Sequence, residues 1–363
     1  MTRSEPSAIV NTHAKRILIR ATNWIGDTVM SLPAVQRLRE HEPTAHIAIA
    51  CPEKLAGLWQ HNPHINEVIT GLLPRRQFDL AIIFPNSFRS AWECYTAGIP
   101  RRVGFTGHWR RALLTDALAD TEHSIRETLT VAGQQIERKK FPVIRHQAHR
   151  YLDLIAHLGG NREPCPPKMW IAPGDAPALT KFLHEGSRPF FGINAGAEFG
   201  PAKRWFPDRF TEVAKAVSAE VPCRWLIFGG PGDTAIAGQI EADLRAALND
   251  DRAVVNVAGK TTLLELCELL KFCRLLITND TGPMHLADAI GTPLVAIFGS
   301  TSAPLTGPTG KHSRVINVPV ECNPCFLREC PIDFRCMKSI TVEQVTAVAL
   351  QLWNETERTH GHT

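Results

Sequence analysis

The segment from Leu275 to Gly299, LLITNDTGPMHLADAIGTPLVAIFG, restricts the fold of this chain more than any other stretch. It begins with a short apolar run typical of a strand that is buried on both faces. A polar turn ending in Pro283 leads into a run with helical spacing, and Gly291 ends that run before a second apolar stretch begins. The segment predicts a β-turn-α-turn-β unit of a parallel sheet, where ligands bind at the carboxyl ends of strands.

The turn of this unit, formed by Asp280, Thr281 and Gly282, is a candidate phosphate site. The start of a helix presents backbone N–H groups and the positive end of the helix dipole, which together suit a diphosphate. The alternative is a well-capped crossover that binds nothing, because short turn motifs match many unrelated chains. The residues alone leave both interpretations open.

A chain of 363 residues predicts two domains rather than one core. Residues 1–14 are polar and lack the apolar core of a signal peptide, and no apolar run approaches the length of a membrane-spanning helix. We therefore expect a cytoplasmic protein whose cysteines are reduced.

Positive charge is concentrated in the first half of the chain. Residues 1–150 hold 20 Lys and Arg against 13 Asp and Glu, whereas the remainder holds 20 against 23. Within 75–111 there are seven arginines against two acidic residues. Arg89, Arg101 and Arg102 are the candidate contacts for an acidic substrate. An anionic membrane or a phosphorylated substrate fits this pattern better than nucleic acid, because no aromatic residues are interleaved as in RNA-binding sheets. A solvated basic surface is the alternative.

The first strand of the chain, Arg16–Arg20, leads through a turn containing Gly26 and Asp27 into a helix predicted from about Thr28. A carboxylate at this edge of a sheet is placed to face a ligand crevice. The alternative is that Asp27 is simply the N-cap of the helix, a common role for Asp.

Three turns of the second half carry further candidates. Lys203 precedes a helix beside a Gly-rich turn, where an ammonium group neutralises a departing diphosphate; a solvated loop lysine is the alternative. Asp233 follows a strand and suits the hydroxyls of a ribose, or else caps the next helix. Lys260 and Thr261 follow another predicted strand.

The opening segment resembles the signature of the lipopolysaccharide heptosyltransferases, glycosyltransferase family 9. The resemblance rests on Asp280-Thr281-Gly282-Pro283-Met284-His285-Leu286, followed by Ala289, Gly291, Pro293 and the strand into Phe298-Gly299. It implies the α/β class and the GT-B architecture, in which two Rossmann-like domains with parallel sheets face each other across a cleft. It also implies inverting transfer from ADP-heptose to an inner-core lipopolysaccharide acceptor. Because the chain contains no Asp-x-Asp triplet of the kind that holds a catalytic metal, we expect that catalysis requires no cofactor.

The resemblance assigns roles to individual residues. Gly26-Asp27 matches a Gly-Asp pair in which the Asp is the catalytic base, and Lys203 matches a lysine that contacts the donor phosphates. In this chain one extra residue separates Trp205 from Pro207 relative to the family pattern. By the same resemblance, the segment around Lys260 and Thr261 borders the adenine. The turn at Asp280 binds the diphosphate, and His285 either touches a phosphate or packs.

Four cysteines lie close together near the end of the chain: Cys322, Cys325, Cys330 and Cys336. Four thiols match the ligand count of a structural zinc site, whereas the compact spacing leaves free or redox-labile thiols as the alternative. This cysteine-bearing tail resembles that of the heptosyltransferase II branch, which adds the second heptose.

From breaker density and strand pattern we predict one domain over 1–160, a linker over 161–188 and a second domain over 189–340. The resemblance implies that the first domain binds the acceptor and the second binds ADP-heptose. Residues 341–363 are predicted to form a helix and tail that pack back on the first domain. The expected partners are ADP-heptose, an acidic lipid A-core glycolipid and the cytoplasmic face of the inner membrane.

Three other functions remain open at this point. A family member that transfers a different sugar and a sugar-nucleotide epimerase both fit the architecture. A non-catalytic nucleotide-binding protein needs neither Asp27 nor Lys203, and a dehydrogenase is disfavoured because the first turn lacks a Gly-x-Gly-x-x-Gly fingerprint.

Overall fold

The computed structural model describes residues 14–120, 124–171, 177–183 and 188–360. The predicted linker lies partly outside these residues, as do the polar first residues and the last three. The described chain divides into two compact units. The first consists of 14–120 and 146–170, and the second of 124–145 and the described residues from 171 onward.

The first unit contains a six-stranded parallel sheet in the order β3-β2-β1-β4-β5-β6. Its strands are β1 (Arg16–Arg20), β2 (His46–Ala50), β3 (Glu67–Ile69), β4 (Leu80–Ile83), β5 (Arg101–Phe105) and β6 (Asp116–Leu118). Its helices are α1 (Ile25–His41), α2 (Phe88–Thr96) and α3 (Ala148–His157). Every residue of β4 is buried, which explains why the central strands are uninterrupted apolar runs.

The second unit repeats this plan with the order β11-β10-β9-β12-β13-β14, again all parallel. Its sheet comprises β9 (Phe190–Asn194), β10 (Arg224–Phe228), β11 (Val254–Asn256), β12 (Leu275–Asn279), β13 (Leu294–Phe298) and β14 (Ser313–Asn317). The helices are α4 (Pro177–Phe182), α5 (Pro207–Glu220), α6 (Thr234–Leu248), α7 (Leu263–Phe272), α8 (Gly282–Ile290), α9 (Ala303–Thr306), α10 (Arg335–Lys338) and α11 (Val342–His360).

In each sheet the strand order reverses beside the first strand. β1 pairs with both β2 and β4, and β9 pairs with both β10 and β12. Ligands of doubly wound sheets bind at this switch point, beyond the carboxyl ends of the strands. Asp27 follows β1 and Asp280 follows β12, so each sheet carries one aspartate at its switch point.

The division into units differs from the predicted boundary at 160. An antiparallel hairpin, β7 (Ile125–Val131) and β8 (Gln134–Lys140), belongs to the second unit although it precedes α3 in the chain. Val131 and Ile136 of this hairpin pack on Cys322, and the Arg138 guanidinium donates to the Cys322 carbonyl at 3.4 Å. These long-range contacts have no signature in the local sequence.

The end of the chain adds a strand and a helix to the second unit. After Gly299, β14 joins the sheet as its sixth strand. The predicted helix and tail is helical from Val342 to His360, its last described residue. This helix, α11, packs through Val345, Ala349 and Leu352 into the core of the second unit.

Among the described residues, no helix combines the length and the apolar character needed to cross a membrane.

Candidate functional site

Asp27 lies in the first turn of α1, and Trp24 is the N-cap. The helix starts three residues earlier than the predicted Thr28, so the N-cap alternative for Asp27 is wrong. The Asp27 carboxylate instead accepts hydrogen bonds from α3: the Gln147 amide donates to it, and the Tyr151 hydroxyl donates at 3.2 Å. The side chain is therefore held towards α3 rather than turned back on its own helix.

Tyr151 connects Asp27 to the core of the first unit. Its ring packs on Phe84 with centroids 5.1 Å apart, and the Gln147 amide also lies 3.3 Å from its hydroxyl. Burial, and then the negative charge of Asp27, raises the pKa of Tyr151 well above its usual range. The phenol therefore stays protonated and remains a donor to the carboxylate.

The second unit places Lys203 against Asp280. The Nζ of Lys203 lies 2.6 Å from Oδ2 of Asp280, and both side chains are largely buried. The Thr301 hydroxyl, in the loop after β13, also donates to Oδ2 of Asp280 at 2.6 Å. The predicted phosphate-binding lysine is thus fixed in place by the aspartate of the signature turn.

Asn279, the last residue of β12, fixes the loops around this pair. Its side chain accepts from the Trp205 backbone N–H at 3.0 Å and donates to the Ala195 carbonyl at 2.7 Å. A single amide therefore joins the loop after β9 to the segment that carries Lys203.

The cysteine-bearing loop braces the same segment from another side. The Arg328 guanidinium donates to the Phe199 carbonyl at 2.7 Å, and the Arg328 carbonyl accepts from the Ala202 N–H at 3.0 Å. The Phe199 ring has Lys203 Nζ at 5.0 Å and the Arg328 guanidinium at 5.6 Å. Gly200 has φ of +149°, and a Cβ there would lie 2.5 Å from the Arg328 carbonyl oxygen, so this close approach requires glycine.

Asp233 packs against the loop after β9. Its Oδ2 accepts from the Gly230 N–H at 3.0 Å, and Oδ1 lies 3.4 Å from the Arg204 guanidinium. A Cβ at Gly196 would lie 2.2 Å from Oδ2, so a side chain at this position would displace the Asp233 carboxylate. Asp233 is the N-cap residue of α6, but its side chain makes no cap hydrogen bond to that helix and closes the turn before it.

Thr281 is the N-cap of α8, and Gly282 and Pro283 form its first helical positions. His285 lies one turn further and is buried. Lys260 is exposed and donates to the Asn256 carbonyl at 2.8 Å, and Thr261 is half-buried ahead of α7. The signature turn therefore has the predicted strand-turn-helix form.

The three candidate arginines are not brought together. Arg101 and Arg102 begin β5, at the end of the sheet opposite to Asp27. Arg101 pairs with Asp116 at 2.8 Å, and Arg102 donates to the backbone carbonyls of Leu113, Ile99 and Pro100. Both guanidinium groups therefore bond to other residues of the first unit. Arg89, at the start of α2, is largely exposed.

The four clustered cysteines are neighbours in space. Burial, followed by the charges of Cys322, Cys325 and Cys330, raises the pKa of Cys336 to about 12. The Phe334 N–H donates to the Cys330 sulfur at 3.2 Å. Within the part of the chain that the structure describes, however, no three His, Cys, Asp or Glu side chains are arranged to hold a metal ion.

The sequence model of the family described as glycosyltransferase family 9 (heptosyltransferase) matches residues 70–334, more than half of the chain. The chain belongs to glycosyltransferase family 9. Among curated members, lipooligosaccharide heptosyltransferase 2 of Haemophilus ducreyi is 31% identical over 84% of this chain and 88% of its own length. Lipopolysaccharide heptosyltransferase 2 of Escherichia coli K12 is 30% identical over the same shares.

Solved structures of family 9 members agree with the fold. The ADP-heptose lipopolysaccharide heptosyltransferase II of E. coli superposes with a TM-score of 0.77 at 27% identity, over 94% of this chain and 99% of that one. A family 9 member from Veillonella parvula gives a TM-score of 0.72 at 22% identity, over 94% and 97%, and shows the fold alone. The predicted class, α/β with two Rossmann-like parallel sheets as in GT-B enzymes, is confirmed.

Sequence reasoning missed the residues that set the environment of each family 9 aspartate. Gln147 and Tyr151 were available as an i, i+4 pair on a predicted helix, but nothing local links them to Asp27. Thr301 and Arg328 lie in segments without regular periodicity, and only their contacts reveal their relation to Asp280 and Lys203.

Proposed function

We propose that this family 9 enzyme transfers heptose from ADP-L-glycero-D-manno-heptose to an inner-core lipopolysaccharide acceptor, adding the second heptose with inversion. Two curated relatives named heptosyltransferase 2 and the solved ADP-heptose lipopolysaccharide heptosyltransferase II of E. coli support this substrate pair. The observation that carries the proposal is the Lys203–Asp280 pair beside the N-terminus of α8, because it combines a fixed cation with a helix start suited to a diphosphate.

Acceptor activation falls to Asp27. Its carboxylate takes the proton of an acceptor hydroxyl while that oxygen forms a bond to the anomeric carbon. The bond between that carbon and the diphosphate oxygen breaks on the opposite face, and ADP leaves. Gln147 and Tyr151 both donate to the carboxylate and hold it in one orientation.

Departure of ADP is assisted by Lys203 and by the backbone N–H groups around Thr281 and Gly282. An ammonium group has three donors, so Lys203 can keep its bond to Asp280 and still donate to a phosphate oxygen. In this proposal Asp280 positions Lys203 rather than binding the donor directly, because a bare carboxylate repels a diphosphate. No metal cofactor is required for this step, and full activity in EDTA would support that.

The remaining predicted residues retain proposed roles. Asp233 accepts hydrogen bonds from the ribose hydroxyls, Lys260 and Thr261 border the adenine, and His285 supports the diphosphate turn. Arg89 keeps its proposed role towards the acidic acceptor, whereas Arg101 and Arg102 lose geometric support for one. We place the enzyme in the cytoplasm, at the inner membrane surface where its glycolipid acceptor is embedded.

The structural zinc site at Cys322, Cys325, Cys330 and Cys336 stays a prediction. The thiols are close together, but binding would require them to draw into a ligand arrangement that they do not have here. Metal analysis of the purified protein decides between the alternatives. About one zinc per chain, lost in Cys325→Ser, supports the site, and a metal-free protein with four titratable thiols supports free cysteines.

Release of ADP from ADP-heptose tests the proposed function. The assay compares wild type and Asp27→Ala, with and without a heptose-bearing inner-core acceptor. We expect acceptor-dependent release that collapses in the variant, with donor binding retained. Donor that binds but turns over with no core acceptor would contradict the acceptor assignment and favour another sugar acceptor. Conversion of ADP-heptose without any acceptor would favour an epimerase.

A further inference from the structure

Helix α2 turns a row of aromatic rings towards solvent. Phe88, Trp92 and Tyr95 are 47%, 47% and 48% exposed. Their rings stack in sequence, with centroids 6.1 Å apart for the first pair and 5.8 Å for the second. The opposite side of the helix buries Ser90, Ala91 and Cys94 against the unit. The large apolar groups of this helix therefore lie on its outer face.

Two further exposed rings are tied to this helix. Trp109 is 96% exposed, and the next residue, Arg110, is buried and donates to the Ser87 carbonyl at 3.3 Å. Trp24 is 55% exposed, in the loop whose Asn23 lies 3.4 Å from the Arg20 guanidinium. Arg20 in turn pairs with Glu93 of α2 at 2.8 Å. We call these five rings, Trp24, Phe88, Trp92, Tyr95 and Trp109, the aromatic face.

Positive charge accompanies the aromatic face. The Arg89 side chain is 87% exposed, between Phe88 and Trp92 in the sequence. Arg75, Arg76 and Arg111 are also exposed. They belong to the segment 75–111, which contains seven arginines and only two acidic residues. Lys54 Nζ lies 5.6 Å from the Trp24 ring.

The aromatic face begins at the edge of the sheet that carries Asp27. Trp24 follows β1, Phe88 follows β4, and Trp109 follows β5, each beyond the carboxyl end of its strand. Because β1, β4 and β5 are consecutive neighbours in the sheet, these three rings and Asp27 share one edge of the first unit.

Indole and phenol rings combined with arginines suit the headgroup region of an anionic bilayer, where rings enter the interface and guanidinium groups meet lipid phosphates. We infer that the aromatic face docks the first unit on an anionic lipid surface. The inference rests on the proposed function in one respect: a glycolipid acceptor is itself embedded in such a surface. A second copy is a poorer occupant, because a symmetric contact would oppose the arginines of one copy to those of the other.

Vesicle sedimentation tests the surface without any acceptor. Wild type should bind vesicles of 70% phosphatidylcholine and 30% phosphatidylglycerol, and bind pure phosphatidylcholine much less. Phe88→Ser/Trp92→Ser should weaken binding to the anionic vesicles about tenfold or more. The matched control is Phe272→Ser, which removes an exposed aromatic ring of the second unit and should leave binding unchanged. Equal binding by the double variant and wild type would overturn the inference.

A charge comparison sharpens the result. Arg89 and Arg126 are equally exposed, each 87%, and each pairs with one glutamate. Arg89→Gln should reduce binding to anionic vesicles several-fold, whereas Arg126→Gln, on the β7–β8 hairpin, should not. Equal effects would mean that net charge alone drives binding and would count against a dedicated face. A concentration-dependent dimer that the Phe88→Ser/Trp92→Ser variant abolishes would assign the face to a second copy.

Transfer assays separate this inference from the proposed function. The Phe88→Ser/Trp92→Ser variant should retain wild-type turnover with a water-soluble, deacylated acceptor, which also shows that it folds, and lose about tenfold with vesicle-embedded acceptor. Vesicle binding by a protein that transfers nothing would leave the surface standing and remove the transfer reaction. Transfer by wild type without vesicle binding would support the transfer reaction and overturn the docking surface.

Discussion

Two aspartates occupy corresponding edges of two sheets with the same strand order, yet their surroundings differ. Asp27 accepts hydrogen bonds from the neutral Gln147 and Tyr151, whereas Asp280 lies 2.6 Å from the Lys203 ammonium. In the proposed mechanism Asp27 takes the proton of an acceptor hydroxyl, whereas Asp280 holds in place the ammonium that stabilises the departing diphosphate. One fold plan therefore supports the proposed base in one unit and a fixed cation in the other.

Removing Asp27, the proposed base, should have the largest effect on activity. Asp27→Asn keeps the shape and both hydrogen-bonding positions but cannot accept a proton, so we expect turnover to fall about 100- to 10,000-fold. ADP-heptose affinity, measured by calorimetry, should change little. Activity within threefold of wild type would show that Asp27 is not the catalytic base, and the proposed difference between the two aspartates would no longer hold.

Removing the ammonium group of Lys203 should have the second largest effect on activity. Lys203→Met should lower turnover about 100-fold or more through lost stabilisation of the departing ADP. The same change leaves Asp280 buried without its ammonium, so thermal stability should fall as well, by about 3 kcal/mol.

The double variant Lys203→Met/Asp280→Asn separates these two effects. We expect it to recover much of the stability, as followed by thermal unfolding, but none of the activity. Recovery of both would show that the pair is structural and that Lys203 makes no contribution to catalysis.

Weakening the orientation of Asp27 should have a smaller effect. Tyr151→Phe removes one donor while keeping the packing on Phe84, so we expect turnover to fall about tenfold. Because burial and the charge of Asp27 raise the pKa of Tyr151, the hydroxyl stays protonated at neutral and mildly alkaline pH. The ratio of variant to wild-type rates should therefore be constant between about pH 6 and 9, and a ratio that changes with pH would contradict this role.

The smallest effect is expected where support for Lys203 is indirect. Arg328→Ala removes the guanidinium contacts with Phe199 and should lower turnover a few-fold, with a matching loss of ADP affinity. Arg335→Ala is the control, since that side chain follows the same loop, at the start of α10, but pairs with Glu321 and Asp333. Equal losses in both variants would indicate general loosening of the loop.

Local sequence was sufficient for much of the fold. The bounds of β1 are as predicted, and the segment from Leu275 forms the predicted strand-helix-strand unit, because buried runs and turn residues act over a few positions. The β7–β8 hairpin and β14 were missed, since their strands are partly exposed and carry no continuous apolar run. Assignment of the hairpin to the second unit depends on its contacts with the cysteine-bearing loop.

The sequence by itself determined that each half is a parallel sheet and that Asp27 and Asp280 follow strands at the ligand-binding edges. Only the tertiary structure decided what each carboxylate touches. The donor that holds Asp27 is 120 residues away in the chain, and Lys203 reaches Asp280 only because β9 and β12 are neighbours. The physical reason is range: periodicity and turn chemistry act within one element, whereas the environment of a side chain is set by elements that meet only when the whole sheet has formed.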